Sequence, residues 1–123
     1  MFINFSNHRT ENWGEEQLAA AKRYGEIVDM PFPNVDPLGN ECYISNLANE
    51  YVEKIVSMIQ NPLQDVVHIM GELNLVFSVV SKLTAKGVTC VASTTERIVV
   101  EKVTETGELI KNATFKFCQF RAY

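Results

Sequence analysis

One stretch, from Asp65 to Arg97, constrains the fold of this chain more than any other. Residues 66–70 form a short apolar run, as in a strand that is buried on both faces. Gly71-Glu72 then leads into a helix that is apolar on nearly all sides, and Lys86-Gly87 is a typical helix end. A second apolar strand over residues 88–92 follows. Strand, helix and strand at this spacing predict a βαβ unit.

The segments on either side of this unit also carry clear patterns. Apolar residues recur at helical spacing over residues 41–60, which predicts an amphipathic helix. Asn12, with Glu15 three residues later, matches a capping box. The other expected elements are a strand at residues 1–5, a helix from the Asn12 cap to Tyr24, a strand at 26–30, and hairpin strands at 98–104 and 109–120.

The order β-α-β-α-β-α-β-β-β predicts one domain over residues 1–123 with an α/β fold. We expect a Rossmann-like three-layer sandwich, with a mainly parallel sheet and a C-terminal antiparallel β-hairpin. Right-handed crossovers place the first strand centrally, with the second strand on one side and the third on the other. Ligands of such sheets bind at the switch point, here between the first and third strands.

Composition narrows the class of protein. The net charge is −4, with 15 acidic against 11 basic residues, which disfavours a broad surface for duplex nucleic acid. The sequence contains no run of about 18 apolar residues, so it predicts no membrane span, and its first residues do not resemble a secretory signal. Three cysteines without close spacing favour neither a disulfide framework nor a zinc site. We therefore expect a cytoplasmic protein with no metal and no cofactor.

Polar residues gather where the predicted strands end at the switch point. Ser6, Asn7 and His8 follow the first strand, Gly71 and Glu72 follow the third, and Asn74 lies in the next helical turn. Thr94, Thr95 and Arg97 follow the fourth strand, and Arg121 lies near the C-terminus. A helix start and an arginine both favour anions, so these ten residues are the candidate ligand site.

Each of these residues also has an alternative role. His8 is either a general acid or base or a structural histidine, and Glu72 either caps its own helix or accepts from a ribose hydroxyl. Arg97 either stabilises a phosphate or pairs with the adjacent Glu96. Arg121 either reaches the site or remains solvated. His68 is expected to be a hydrogen-bonded core histidine, and no nucleophile elbow surrounds any serine.

Four short motifs, in the same order over nearly the whole chain, resemble those of small CRISPR-associated proteins of the CARF-like ring nuclease family of type III systems. They are residues 3–8 (INFSNH), residues 69–72 (IMGE) before the apolar helix, residues 92–97 (ASTTER), and residues 115–123 (FKFCQFRAY).

The resemblance implies a homodimer that binds a cyclic oligoadenylate, most simply cyclic tetra-adenylate, across its two-fold axis. It implies that the ligand's own 2′-hydroxyl attacks the neighbouring phosphodiester without a metal, which linearises the ring and ends CRISPR signalling. On this basis His8 and Arg97 are the catalytic candidates, and the other eight residues bind the ring. The alternatives are a sensor or sink that holds the ring uncut, another nucleotide-handling enzyme such as a nucleoside transferase, and an interaction protein without a small ligand.

Overall fold

The computed structural model describes residues 1–123 and contains five strands, three α-helices and one 3-10 turn. The order along the chain follows the predicted alternation of strand and helix. The elements are β1 (Phe2–Ser6), the 3-10 turn (Thr10–Asn12), α1 (Glu15–Lys22), β2 (Ile27–Pro31), α2 (Glu41–Met58), β3 (Val66–Met70), α3 (Leu73–Ala85), β4 (Thr89–Val103) and β5 (Leu109–Ala122).

All five strands belong to one sheet in the order β2-β1-β3-β4-β5. The first four strands are parallel, and β5 pairs antiparallel with β4. This confirms the predicted Rossmann-like α/β sandwich, with its mainly parallel sheet and C-terminal antiparallel pair. The chain continues from β1 to β2 on one side and returns to β3 on the other, so the switch point lies between β1 and β3.

Alternating side chains of the central strands serve two different helix layers. Ile3, Phe5, Val67 and Ile69 belong to the larger core cluster, together with buried residues of α2 and α3. Their neighbours Phe2, Val66 and Val91 point the other way and pack with Ala21 of α1. The parallel strands are therefore buried on both faces, which explains why β1 and β3 read as continuous apolar runs.

The two longer helices begin and end as their sequences indicate. The Asn40 side chain caps α2 by accepting from the Tyr43 N–H at 2.9 Å. After α3, Gly87 has a positive φ of 80°, and its N–H donates to the Thr84 carbonyl. Gly87 thus allows the chain to leave α3 and enter β4, because this conformation favours glycine.

Two predicted boundaries are wrong. Asn12 does not cap α1; it ends the 3-10 turn, and Gly14 is the N-cap residue. The predicted break at residues 93–97 is absent, because β4 is one continuous strand. Thr94 and Thr95 are β-branched and pair with Gln119 and Phe117 of β5, so the hydrogen-bonded ladder continues through this polar segment.

Beyond an irregularity between Thr94 and Thr95, β4 and β5 continue as a two-stranded ribbon, residues 95–117, which we call the β-arm. Its turn includes Gly107, with a φ of 83°, as the predicted hairpin requires. Most of the arm is exposed, and Val103 (72%) and Phe115 (68%) are among its most exposed apolar side chains. A two-stranded ribbon alone in water is only marginally stable.

The three α-helices include no candidate for a membrane-spanning segment.

Candidate functional site

A cleft of about 770 Å³ opens at the carboxyl ends of β1 and β3 and beside Ser93 and Thr95 within β4, on the face of the sheet that α1 covers. We call it the switch-point cleft, because it lies where the topology predicts ligand binding. Its lining includes polar, aromatic and charged side chains. The hydroxyl and imidazole groups are those of Ser6, His8, His68, Ser93 and Thr95. The aromatic rings are Trp13, Phe115 and Phe117, and the charged side chains are Glu15, Glu16 and Lys116.

A chain of three hydrogen-bonded side chains crosses the floor of this cleft. Ser93 Oγ on β4 lies 3.3 Å from His68 Nε2 on β3. His68 Nδ1 lies 2.9 Å from Asn4 Oδ1 on β1. Asn4 and His68 are each only 2% exposed, whereas Ser93 is half-buried at the cleft surface. The chain therefore connects a solvent-facing hydroxyl to a buried imidazole and a buried amide.

The network continues from Asn4 toward the edge of the sheet. Asn4 Nδ2 donates to Asp29 Oδ1 on β2 at 2.9 Å and to the His8 carbonyl at 2.8 Å. The Thr10 hydroxyl donates to the other Asp29 oxygen at 2.9 Å. No buried side-chain nitrogen or oxygen in residues 1–123 lacks a hydrogen-bond partner. Polar side chains thus link four neighbouring strands without a desolvation penalty from an unpaired group.

The surroundings of His68 determine its protonation state. Burial among apolar and aromatic groups lowers the pKa of His68 from 6.5 to about 4, and the nearby His8 adds a smaller effect in the same direction. The Phe2 ring stacks on the imidazole at 5.9 Å, and Trp13 meets it edge-on at 5.3 Å. At neutral pH the ring is therefore uncharged, with one N–H and one free lone pair.

Three of the ten residues predicted for the site line the switch-point cleft: Ser6, His8 and Thr95. The Ser6 hydroxyl donates to Asn4 Oδ1 at 2.7 Å, so it is joined to the polar chain. His8 and Thr95 are exposed, and their side chains are free to meet a ligand. Asn7 lies in the turn between Ser6 and His8, exposed and outside the lining.

Gly71, Glu72 and Asn74 lie elsewhere and have local structural partners. A Cβ at Gly71 would lie 2.6 Å from the Phe32 ring, so this glycine makes room for packing rather than for a ligand. Glu72 caps α3, accepting from the N–H groups of Asn74 and Leu75 at 3.1 and 2.8 Å. The Asn74 side chain borders a separate depression between α2 and α3.

Thr94, Arg97 and Arg121 also lie outside the cleft lining. The Thr94 hydroxyl donates across the sheet to the Gln119 carbonyl at 3.2 Å. Arg97 is exposed on the β-arm opposite Phe115, and it forms no salt bridge with Glu96. Arg121 is exposed on β5. The basic side chain that the structure places in the cleft is Lys116.

The N-termini of α1 and α3 differ in what accepts hydrogen bonds from their first N–H groups. The Glu72 carboxylate accepts from the first turn of α3 and thereby occupies the anion position that the sequence favoured. No side chain caps α1, and its first residues, Gly14 to Gln17, line the cleft. The free N–H groups near the cleft thus belong to α1. Glu15 and Glu16 lie beside them and add negative charge.

Sequence reasoning missed the residues that form the floor of the cleft. His68 is buried and hydrogen-bonded at both nitrogens, as expected, yet its Nε2 atom faces the cleft through Ser93. Asn4 was assigned to the first strand and to the motif at residues 3–8, but not to the candidate ligand site. A polar side chain inside a strand that is otherwise apolar is the signal that could have found both Asn4 and His68.

The sheet order, the helices on both faces and the cleft at the switch point define a Rossmann-like α/β protein, and the switch point is where ligands of such sheets generally bind. A family model described as the uncharacterized protein MJ1673 family matches residues 1–121, so the chain belongs to this family. No curated protein and no solved structure matches the chain. Residues 1–123 hold no cluster of three or more His, Cys, Asp or Glu side chains suited to a metal ion.

Proposed function

We propose that this protein is a ring nuclease that binds a cyclic oligoadenylate in the switch-point cleft and linearises it, ending a type III CRISPR signal. The observation that carries the proposal is the composition of the cleft, which combines aromatic rings, hydroxyl groups and a lysine at the predicted ligand position. The motif resemblance over residues 3–8, 69–72, 92–97 and 115–123 supplies the identity of the ligand.

The cleft offers the three kinds of contact that an oligoadenylate needs. Trp13 and Phe117 line the cleft and are only half-buried, and stacking of a base on an aromatic side chain stabilises single-stranded nucleic acids by about 1–3 kcal/mol per base. Ser6 and Thr95 provide hydroxyl groups for ribose and phosphate oxygens. Lys116 provides a positive charge for phosphate. An RNA-type ligand therefore fits this lining better than an apolar metabolite does.

The charges in the cleft also suggest how the ring is oriented. Glu15 and Glu16 line the α1 side, whereas Lys116 lies on the β-arm side. Phosphates should lie toward Lys116, and adenine amino groups or ribose hydroxyls toward the two carboxylates, since carboxylates accept hydrogen bonds and repel phosphate. Lys116 thereby takes the phosphate-stabilising role that the sequence assigned to Arg97.

The proposed chemistry uses the ligand's own nucleophile. The 2′-oxygen of one adenosine forms a bond to the adjacent phosphorus while the bond from phosphorus to the 5′-oxygen breaks, which opens the ring. The protein aligns the attack and stabilises the charge that develops on phosphate, and these two effects can account for much of the acceleration. His8 is well placed to protonate the leaving oxygen, because it is exposed within the cleft lining.

The homodimer is part of the same proposal. A ring that lies across a two-fold axis needs a second cleft facing the first, and the β-arm begins at the cleft. Its exposed apolar residues, including Val103 and Phe115, favour contact with a second copy, which would also support the isolated ribbon. Light scattering during size-exclusion chromatography should give a mass near twice 13.9 kDa. A monomer with or without the ring would contradict the dimer.

The decisive experiment is incubation of pure protein with cyclic tetra-adenylate in EDTA, followed by chromatography. We expect linear products. An intact ring after prolonged incubation with excess protein would remove the enzyme proposal. Lys116→Ala should slow cleavage strongly, whereas Lys111→Ala, which removes a β-arm lysine paired with Glu101 outside the cleft, should not. If Arg97→Ala slows cleavage and Lys116→Ala does not, the phosphate role belongs to Arg97.

A binding function without cleavage is the second candidate. The complete pairing of buried polar groups favours it, because such a network is rigid and needs no substrate to satisfy it. Calorimetry that shows tight binding of the ring, together with no product in the cleavage assay, would select a sensor or sink.

A further inference from the structure

Ser93, His68 and Asn4 are arranged like the three side chains of a catalytic triad. Ser93 occupies the position of the nucleophile or proton relay, His68 that of the base, and Asn4 that of the group that orients the base. Ser93 Oγ is 3.3 Å from His68 Nε2, and His68 Nδ1 is 2.9 Å from Asn4 Oδ1. The three residues come from three adjacent strands, so the sheet holds them at fixed spacing. The same order of roles recurs in unrelated hydrolases, where geometry rather than sequence position identifies it.

The orientation of the Asn4 amide decides which nitrogen of His68 carries the proton. Asn4 Nδ2 donates to Asp29 Oδ1 and to the His8 carbonyl, so the amide oxygen must face His68. An amide oxygen only accepts, and His68 Nδ1 therefore carries the hydrogen. The Nε2 lone pair is left directed at Ser93, which is the tautomer that a base requires.

The position of Ser93 gives this base access to the cleft. His68 is almost fully buried, whereas Ser93 is half-buried and lines the cleft. In the structure the Ser93 hydroxyl also lies 2.9 Å from Met70 Sδ, a weak acceptor. The single serine proton can point to Met70 Sδ or to His68 Nε2, and when it points to His68, Ser93 Oγ can accept from a hydroxyl of the ligand.

We propose that Ser93, His68 and Asn4 form a proton relay that activates the attacking hydroxyl of the ligand. This inference rests on the proposed function. The ligand 2′-hydroxyl gives its proton to Ser93 Oγ, Ser93 passes its own proton to His68 Nε2, and Asn4 stabilises the resulting imidazolium. The O2′–P bond forms and the P–O5′ bond breaks. The leaving oxygen takes a proton from water or His8, and the relay returns its proton to solvent.

The alternative is a purely structural network that ties β1, β3 and β4 together. The two roles differ in whether loss of the imidazole lowers kcat and the reactivity of Ser93 without changing ring affinity. The titratable and charged groups that face the relay are His8, Lys116, Glu15 and Glu16 in the cleft lining. Asp29 is connected to the relay because it accepts a hydrogen bond from Asn4. Because burial lowers the pKa of His68 to about 4, the ring stays neutral well below the usual pH range of histidine, and it is a weaker base than an exposed imidazole.

Cleavage kinetics on the full-length protein test the relay. His68→Gln and Ser93→Ala should each lower kcat by about 10²-fold or more, the typical contribution of a general base. Ring affinity, measured by calorimetry, should change by less than about threefold, since the loss is in the chemical step. The wild-type rate should stay level down to about pH 5. Unchanged kcat in both variants, or an acid limb near pH 6.5, would overturn the relay.

A covalent probe tests the same relay without the proposed substrate. With a fluorophosphonate, Ser93 Oγ should form a bond to phosphorus as the P–F bond breaks, fluoride leaving and the serine proton passing through His68 to solvent. Mass spectrometry should find the adduct on Ser93 in the wild type and in Ser57→Ala, a control on α2, but not in His68→Gln.

The two assays separate the relay from the proposed function. If the wild type does not cleave the ring, the ring nuclease proposal fails, and the labelling result alone decides the relay. Labelling of Ser93 that requires His68 would then support it. No adduct, or equal labelling in His68→Gln, would overturn it. If His68→Gln does not fold, Ser93→Ala, a smaller change at a half-buried position, carries the kinetic comparison.

Discussion

The buried imidazole of His68 makes the stability of the protein depend on pH in a calculable way. Its pKa in the folded chain is about 4, against 6.5 for an exposed histidine. Between these values the unfolded chain binds a proton and the folded chain does not. The stabilisation is therefore fully present above pH 6.5 and is lost as the pH falls from 6.5 to about 4.

The expected size follows from the same two values. A tenfold change in proton affinity corresponds to about 1.4 kcal/mol, so the free energy of unfolding should fall by about 3 kcal/mol across this interval through His68 alone. That is a large part of the 5–15 kcal/mol, roughly, that stabilises a typical domain.

Urea unfolding of the wild type and His68→Gln, at several pH values between about 7 and 4.5, isolates this contribution. Glutamine can still hydrogen-bond but does not titrate, so subtracting its curve removes the effects of the carboxylates. The difference between the two proteins should shrink steadily as the pH falls. NMR of the His8→Gln variant, in which His68 is the one remaining histidine, should show a ring that stays neutral below pH 6.5.

Two results would refute this reasoning. A difference in stability that stays constant from neutral pH to about pH 4.5 would mean that His68 binds protons equally in both states. A His68 ring that titrates near 6.5 in the folded protein would mean that water reaches it more freely than its 2% exposure indicates.

Three further substitutions test the contacts around the switch point by urea unfolding. Gly71→Ala should destabilise by about 1–3 kcal/mol through overpacking against Phe32, and Gly14→Ala, with open space around it, should cost less; equal losses would contradict the packing role. Glu72→Ala should cost about 1 kcal/mol by leaving α3 uncapped, and no loss would show that water caps it equally well. Tyr123→Phe should cost about 1 kcal/mol, because the hydroxyl donates to a β3 carbonyl at 2.6 Å; unchanged stability would mean that this bond is replaced by water.

The sequence predicted the fold well wherever a local pattern and burial agreed. The strand order followed from crossover rules, and the ends of α2 and α3 followed from amphipathic spacing, Lys86 and Gly87. The errors fell where polar residues were taken as breaks. Thr94 and Thr95 are polar yet favour extended backbone, so cross-strand pairing with β5 kept them within β4.

The candidate site was harder to predict, because its position follows from the direction of side chains. Ser6, His8 and Thr95 line the cleft: Ser6 and His8 lie at and just beyond the end of β1, and Thr95 lies within β4, where this strand continues past the end of β3. Gly71 and Glu72 also end a strand, but Gly71 faces Phe32 on the opposite side of the sheet and Glu72 turns back onto its helix. The sequence predicted which residues lie near the ends of the parallel strands. Which face of the sheet each of their side chains points to could be determined only from the fold.

Register explains why the polar chain has the members it has. Asn4 pairs with His68, and His68 pairs with Val91, so Ser93, two residues beyond Val91, lies on the same face. A slip of β4 by one residue would turn Ser93 to the opposite face and bring Ala92 or Thr94 to its place. With Ala92 there, His68 Nε2 would be buried without an oxygen partner, at a cost of about 1–3 kcal/mol. The hydrogen-bond chain therefore also disfavours alternative pairings of β3 with β4.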